Sequence, residues 1–228
     1  MKHNIFITGG NSEIGCSLIE KIYKEIDANI YSTRYQGKSI KEKVKKEFKI
    51  DLSNINNKIK DEVSSLDISH LVLIHGTIMR DTLTDHEKLE EILQVNLLSS
   101  IEIIKSVLKG MIERSYGRIV IVNTASLKIG GGKFSFSYSL SKSGLKHTVK
   151  HLAKHYSNYN ILTNSISPGF IDTKFHNKSK SKEEINERKK NIKNITTVDE
   201  VSNSIKSLLL DNRSITGQDI IIDGGEFI

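Results

Sequence analysis

Short apolar runs alternate with longer stretches of helical periodicity along the whole chain. HNIFIT (3–8) is a β-branched run ended by glycine, which predicts a buried strand. In the stretch that follows, Ile14, Leu18, Ile19, Ile22 and Ile26 recur three and four apart, the spacing of one helix face. ANIYST (28–33), FKIDL (48–52) and HLVLIHG (70–76) read as further strands, with segments of helical length between them. LEEILQVNLLSSIEIIKSVLKGMIE (89–113) predicts a long amphipathic helix, after which Gly117 opens the strand RIVIVNT (118–124). A helix over 138–157, the strand NILTNSIS (160–167), the helix VDEVSNSIKSLLL (198–210) and the strand QDIIID (218–223) complete the series. Strands that alternate with helices from end to end specify a parallel sheet covered on both faces. The expected fold class is α/β: a doubly wound parallel sheet of about seven strands. No repeat, linker or low-complexity boundary interrupts the pattern, so residues 1–228 are expected to form a single domain.

Composition narrows the setting. A chain of 228 residues with 37% hydrophobic and 27% charged residues can bury a full core. No apolar run approaches a membrane span, and the first residues read as a strand rather than a signal peptide, so a cytoplasmic protein with no membrane partner is expected. Cys16 is the single cysteine, which excludes an intrachain disulfide and suits a reducing compartment. The net charge of +7 comes largely from 38–49 and 174–193, where bases are mixed with acids and are not interleaved with aromatics in a base-stacking pattern. Those segments are expected to be solvated and not to bind nucleic acid; their second reading is an attractor for an anionic substrate.

Candidate chemistry lies at two places. Tyr138 and Lys142 are four apart and share a helix face, and an ammonium beside a phenol favours the phenolate, so the pair suits proton transfer. That helix runs antiparallel to the strands, which puts its first turn at the carboxyl edge of the sheet, where open α/β sheets bind ligands. Thr8-Gly-Gly-Asn-Ser-Glu-Ile-Gly15 is a glycine turn between the first strand and first helix, a place for a pyrophosphate against a helix N-terminus. Two other features are read as structural. His147, His151 and His155 have no accompanying carboxylate and are taken as a solvated or helix-facing stripe rather than a metal site; Ile129-Gly-Gly-Gly132 lacks the Lys-Ser/Thr of a phosphate loop.

These motifs, in this order, resemble the short-chain dehydrogenase/reductase family from residue 4 to about 225. The family pattern T-G-x-x-x-G-x-G is similar to Thr8–Gly15, its adenine-contacting pair to Asp51-Leu52, and its N-N-A-G to a segment that keeps Gly76. Its asparagine falls on Asn96, its Tyr-x-x-x-Lys on Tyr138 and Lys142, and its P-G-x-x-x-T on Pro168-Gly169-Phe170-Ile171-Asp172-Thr173. The ending ITGQDIIIDGG (215–225) also resembles the family's. The resemblance implies a Rossmann-like fold and hydride transfer between a nicotinamide and a small carbonyl or alcohol substrate. Tyr138 would exchange the proton, Lys142 would bind the nicotinamide ribose and lower the tyrosine pKa, and Asn96 would hold a relay water. A hydroxyl at the end of strand five would anchor the substrate; Thr124 is favoured, with Ser126 as the fallback. Cofactor contacts are expected from Gly9, Asn11, Ser12, Ile14, Gly15, Arg34, Asp51, Leu52, Gly76, Tyr138, Lys142, Pro168, Gly169, Ile171 and Thr173, and no metal.

Strand two ends in Arg34 with no acid, so NADP(H) is expected over NAD(H), with Asn11 and Ser12 adding hydrogen bonds to the 2′-phosphate. The chain departs from the family at Glu13, where a glycine is usual and where the carboxylate is expected to point outward. It departs again at Leu73-Ile74-His75, where a strand-tying hydrogen bond is expected to be lost and His75 to line the cofactor pocket. Residues 174–197 are expected to form a substrate lid, and the helices 89–113 and 138–157 to pair in a homodimer or homotetramer. Alternatives within the class are a 3-oxoacyl-acyl-carrier-protein reductase or an activated-sugar dehydrogenase. A dinucleotide-binding regulatory protein without catalysis is the alternative of another class.

Overall fold

The computed structural model describes residues 3–54 and 57–227, and its seven strands form one parallel sheet. In chain order they are β1 (His3–Thr8), β2 (Ala28–Arg34), β3 (Lys46–Lys49), β4 (His70–Leu73), β5 (Gly117–Val122), β6 (Ile161–Pro168) and β7 (Asp219–Ile222). Their spatial order is β3-β2-β1-β4-β5-β6-β7, so the direction of winding reverses between β1 and β4. The crevice outside the carboxyl ends of those two strands is the expected ligand site of such a sheet.

Helices α1 (Glu13–Glu25) and α7 (Val198–Lys206) cover one face, where Leu18, Ile19, Ile22, Val201 and Ile205 join Ile5, Ile7 and Val72 in one core. On the other face, α2 (Asn57–Ser64), α4 (Ser99–Glu113) and α5 (Phe136–Tyr156) bury Val63, Ile103, Val107, Leu145 and Val149 against Phe6, Leu71 and Ile119. The central strands β1, β4 and β5 are apolar on both sides because both sides are covered.

Two boundaries differ from the periodicity. The third strand, expected over 48–52, pairs over Lys46–Lys49, and its ladder ends where the Ile50 amide donates to the Arg34 carbonyl. Phe48, Ile50 and Leu52 are all buried, so the alternation reported burial, which outlasts the hydrogen bonding on this edge strand. The helix expected over 89–113 is interrupted: α3 (Leu89–Leu93) passes through a π-helical turn (Gln94–Leu98) into α4. A π turn inserts one residue into the helical register, and such turns recur at functional sites. Here it carries Asn96, which is fully buried.

Residues 174–197 contain a short 3₁₀ turn (Lys174–Lys178) and α6 (Lys182–Asn191), which starts at a reciprocal capping pair of Ser181 and Glu184. Ile185 is buried beneath α6.

Candidate active site

Tyr138 lies half-buried in the first turn of α5, where two cavities meet. The smaller, about 130 Å³, extends toward Ser12, Ile14, Gly76, Lys142, Pro168 and Ile171. The larger, about 350 Å³, extends beneath the 174–191 segment toward Arg80, Ser126 and Lys180. Thr124, Tyr138, Gly169, Phe175 and His176 line both.

The first turn of α5 is held from outside the helix. Ser135 supplies no side-chain cap; instead the buried carboxylate of Asp81 accepts the Ser137 N–H at 3.1 Å. A carboxylate satisfies an orphan donor there and complements the positive end of the helix. Gly131 has φ +89°, and a Cβ on it would sit 2.0 Å from Ser139 Oγ, so only glycine lets the preceding loop approach α5 this closely.

Lys142 is 4% exposed and donates to the Val122 carbonyl at 2.8 Å, with burial lowering its pKa to about 8. Its Nζ stands 5.8 Å from the centre of the Tyr138 ring. Burial pushes the Tyr138 phenol up, opposed only by a hydrogen bond with Thr124. The expected lowering of the tyrosine by Lys142 is therefore corrected: the phenol is held protonated by desolvation, and the ammonium is directed to a carbonyl.

Asn96 joins three elements. Its Oδ1 accepts the Thr77 N–H at 2.7 Å, and its Nδ2 donates to the Thr77 carbonyl at 2.9 Å and to Ser141 Oγ at 3.0 Å. A Cβ on Gly76 would lie 3.3 Å from Asn96 Oδ1 and 3.8 Å from Lys142 Nζ, so the glycine sits between these two groups. Gly76, Asn96 and the Tyr138–Lys142 pair, from three separate stretches of the chain, are thus assembled at one place. Of the two candidate hydroxyls, Thr124 lines both cavities and bonds Tyr138. Ser126 lines only the larger one, with its Oγ 3.0 Å from Thr124 Oγ1.

His75 does not line the smaller cavity; Ile74 and Gly76 do. The His75 ring turns inward, with Nδ1 2.6 Å from Thr8 Oγ1 and Nε2 3.1 Å from the Val95 carbonyl and 2.8 Å from Ser99 Oγ. A ring nitrogen facing a carbonyl must carry the proton, so Nε2–H donates and Nδ1 accepts from Thr8. The tie between β1 and β4 that the missing asparagines were expected to leave open is therefore made by His75, which extends it to the π turn. Burial, with Lys142 nearby, pushes the imidazole down to about 3.

Toward the β2 end, Gly9 has φ +64° and its N–H donates to Thr33 Oγ1 at 3.0 Å. A Cβ on Gly15 would come within 2.6 Å of the Gly9 carbonyl, so α1 meets the turn at backbone distance. Ser12 caps α1 by accepting the Gly15 N–H at 3.1 Å, and the Asn11 amide donates to the Gln36 carbonyl at 2.5 Å. Ser12 Oγ acts here as an acceptor and Asn11 uses one amide hydrogen, so the Ser12 O–H and the second Asn11 N–H remain as donors. Glu13 does not stand free: its carboxylate accepts the Lys174 N–H at 3.2 Å across the cleft mouth.

Arg34 is not a lone cation, because its Nε donates at 2.8 Å to Glu47, whose side chain is 1% exposed. Glu47 also accepts from Ser39 Oγ at 2.6 Å and from the Ile40 N–H at 2.9 Å. Burial opposes its ionisation, but these donors together hold its pKa below the usual carboxylate value. Asp51 is exposed and accepts the Ser53 N–H at 2.9 Å, while Leu52 is buried. Gly9, Asn11, Gly15, Arg34, Asp51 and Leu52 thus lie outside the smaller cavity, along the β1–β2–β3 ends.

Sequence reasoning missed Asp81, Glu47, Phe175, His176 and Glu226. Phe175 follows Thr173 closely and could have been suspected from its place; its ring centre is 6.0 Å from that of Tyr138. Glu47 and Glu226 reach the site from a neighbouring strand and from the far end of the chain, which no local pattern records. Glu226 accepts the Phe170 N–H at 2.6 Å and Arg188 Nε at 2.9 Å. The histidines 147, 151 and 155 stand exposed along α5.

The site suits a dinucleotide. Gly9 has a positive φ and Gly76 lies tightly against Asn96, the N-terminus of α1 borders the cavity, and among the described residues Lys142 has no carboxylate partner. A parallel sheet with this cleft at its winding reversal, and a tyrosine and lysine within it, defines a dinucleotide-binding oxidoreductase of the doubly wound class. A family described as Enoyl-(Acyl carrier protein) reductase matches residues 28–226. The 3-oxoacyl-[acyl-carrier-protein] reductase of Buchnera aphidicola subsp. Schizaphis graminum is 32% identical over 242 residues, covering 100% of this chain and 98% of that protein. The Aquifex aeolicus protein of the same description is 28% identical, covering 98% and 87%. Among solved structures, a 3-oxoacyl (acyl-carrier-protein) reductase from Agrobacterium tumefaciens C58 with NADP bound superposes with a TM-score of 0.84 at 19% identity, covering 98% and 93%. A 4-hydroxyisoleucine dehydrogenase complexed with NADH gives 0.84 at 24% identity, covering 98% of each chain. The chain belongs to the short-chain dehydrogenase/reductase family, and it is an oxidoreductase.

Proposed function

We propose that this protein reduces a small carbonyl substrate with NADPH, in a single domain spanning residues 1–228. The observation that carries the reading is the junction of the two cavities at Tyr138 and Thr124. The dinucleotide, when bound in the smaller cavity, supplies the hydride. The chain's own groups do the rest. Thr124 and the Tyr138 hydroxyl hold the substrate oxygen, and Tyr138, kept protonated by burial, gives it a proton. Lys142 binds the ribose side and refills the tyrosine through a relay to which Asn96 contributes. Gly9, Ser12, Ile14, Gly15 and Gly76 carry the pyrophosphate and nicotinamide side, with Pro168, Gly169, Ile171 and Thr173 opposite. Arg34 meets the 2′-phosphate, and Asp51 and Leu52 the adenine. The relative solved with NADP bound supports this cofactor, although another was solved with NADH.

Residues 174–197 serve as the substrate lid. It is tied to the rest of the chain by the Glu13 carboxylate accepting the Lys174 N–H, by the ion pairs Arg80–Glu184 at 2.9 Å, Lys189–Asp172 at 2.5 Å and Arg188–Glu226, and by Thr196 Oγ1 donating to the Ile222 carbonyl at 2.9 Å. We assign the protein to the cytoplasm, in keeping with the absence, among the described residues, of any helix long and apolar enough to cross a membrane. It works as a homodimer or homotetramer through α4 and α5, where Leu98, at the end of the π turn before α4, and Leu140 are exposed, and light scattering at micromolar concentration should give at least twice the monomer mass.

A second reading is a 3-oxoacyl-acyl-carrier-protein reductase. It is favoured by relatives of that description matched over the whole chain and by the net charge of +7, which would attract an acidic carrier. A panel of ketones and acyl-carrier thioesters, followed by nicotinamide absorbance with NADPH, tests both readings. No oxidation with any carbonyl compound would remove them and leave the non-catalytic alternative.

A further inference from the structure

The larger cavity, which Tyr138 lines, is lined by charged groups as well as apolar ones. Arg80, Lys180 and Arg188 line it, together with Glu184 and Glu226. Two of the three cations are matched: Arg80 is 2.9 Å from Glu184, and Arg188 donates to Glu226 at 2.9 Å. Lys180 is half-buried, and among the described residues no carboxylate stands within ion-pair distance of its ammonium. Lys180 is thus the half-buried cation of this lining that, among the described residues, has no ion-pair partner. Lys133 also lines the cavity but is exposed.

Two neighbouring groups share the imbalance. Ser179 and His176 line the same cavity, and Ser179 Oγ and His176 Nδ1 are buried without a hydrogen-bond partner. Burial, with Arg188 and Lys180 nearby, pushes His176 down to about 4, so at neutral pH the ring is uncharged and offers one N–H. Folded chains rarely leave buried polar atoms unpaired, and those they do leave require an explanation. Here an ammonium, a hydroxyl and a ring nitrogen remain unmatched beside one cavity, a donor set suited to a single carboxylate with its two oxygens.

The geometry points to a carboxylate subsite formed by Lys180, Ser179 and His176, so that the preferred substrate is a small oxo acid whose carbonyl meets Tyr138 and Thr124. This rests on the carbonyl-reductase reading above. The carboxylate would be recognised inside the cleft, on the substrate itself, rather than on a carrier outside it.

Two measurements keep the subsite separable from the reading it rests on. The first is binding: the melting temperature of the full chain is followed with malonate, which has no reducible ketone, and with neutral dimethyl malonate. Malonate should raise the melting temperature of the wild type and of K180R, which keeps the charge, but not of K180M; the ester should raise none. The second is turnover with NADPH of pyruvate, acetoacetate and levulinate, which differ in carbonyl-to-carboxylate spacing, against their methyl esters. The best acid should exceed its ester, and K180M should lower kcat/KM for that acid by about 10- to 100-fold while leaving the ester unchanged. S179A should cost the acid about threefold. Malonate protection that survives in K180M, equal use of acid and ester by the wild type, or turnover confined to carrier-linked thioesters would overturn the subsite. Protection by malonate through Lys180 without reduction of any carbonyl compound would keep the subsite and overturn the reductase reading.

Discussion

The Lys142 ammonium lies 5.8 Å from the centre of the Tyr138 ring and donates to the Val122 carbonyl, not to the phenol. Tyr138 is consequently governed by its burial and by Thr124, and rests as a proton-loaded acid. That is the form needed at the start of a carbonyl reduction.

Tyr138→Phe removes the transferable proton and almost nothing else. Turnover should fall by about 10²- to 10⁴-fold, with NADPH affinity within about twofold of wild type. Stopped-flow turnover and fluorescence titration of the cofactor check the two halves. Near-normal turnover would move the acid to another residue.

Thr124→Ala should cost kcat/KM about 3- to 10-fold, the worth of one hydrogen bond to the reacting centre, and Ser126→Ala should be nearly silent. Thr124 bonds Tyr138 and lines both cavities, whereas Ser126 lines only the larger one and bonds Thr124. The opposite order would make Ser126 the anchoring hydroxyl.

Arg34 and Glu47 should set the cofactor preference together. Arg34→Ala should lower kcat/KM with NADPH by about 10- to 100-fold and spare NADH, because only the former carries the 2′-phosphate. Glu47→Gln removes a buried negative charge beside the same guanidinium and should raise the NADPH-to-NADH ratio. Comparison of kcat/KM with both cofactors decides; equal losses with both in Arg34→Ala would place the phosphate elsewhere.

Stability should fall on acidification through a window set by the buried imidazoles. His75 and His70 stay neutral in the folded chain down to about pH 3, whereas unfolded histidine takes up its proton near 6.5. Between those values the unfolded state binds more protons, so stability rises with pH and is lost as pH falls, by about 1.4 kcal/mol per pH unit for each histidine. Lys142, lowered to about 8, gives the same sign between pH 8 and its unfolded value near 10.5. Denaturant midpoints at pH 6.5 and 4.5 should show a slope shallower by one proton in His75→Asn than in wild type. An unchanged slope would mean that His75 is charged in the fold.

The alternation of apolar runs with helical periodicity determined the layered parallel sheet, because a strand flanked on both sides by helices must be apolar on both faces. The local motifs were equally legible: the glycine turn from Thr8 to Gly15 and the four-residue spacing of Tyr138 and Lys142 depend only on near neighbours in the chain. Tertiary structure decided the partners of those motifs. Asp81 caps α5 across 56 residues, Glu47 reaches Arg34 from the adjoining strand, and Glu226 returns from the last turn to Phe170 and Arg188. His75 replaced a lost strand tie by bonding Thr8 and the π turn at once, a role visible only when β1, β4 and the helix after β4 are side by side. Hydrophobic spacing records which face of an element is buried, but the choice of hydrogen-bonding and charge partners depends on distances that only the folded chain sets.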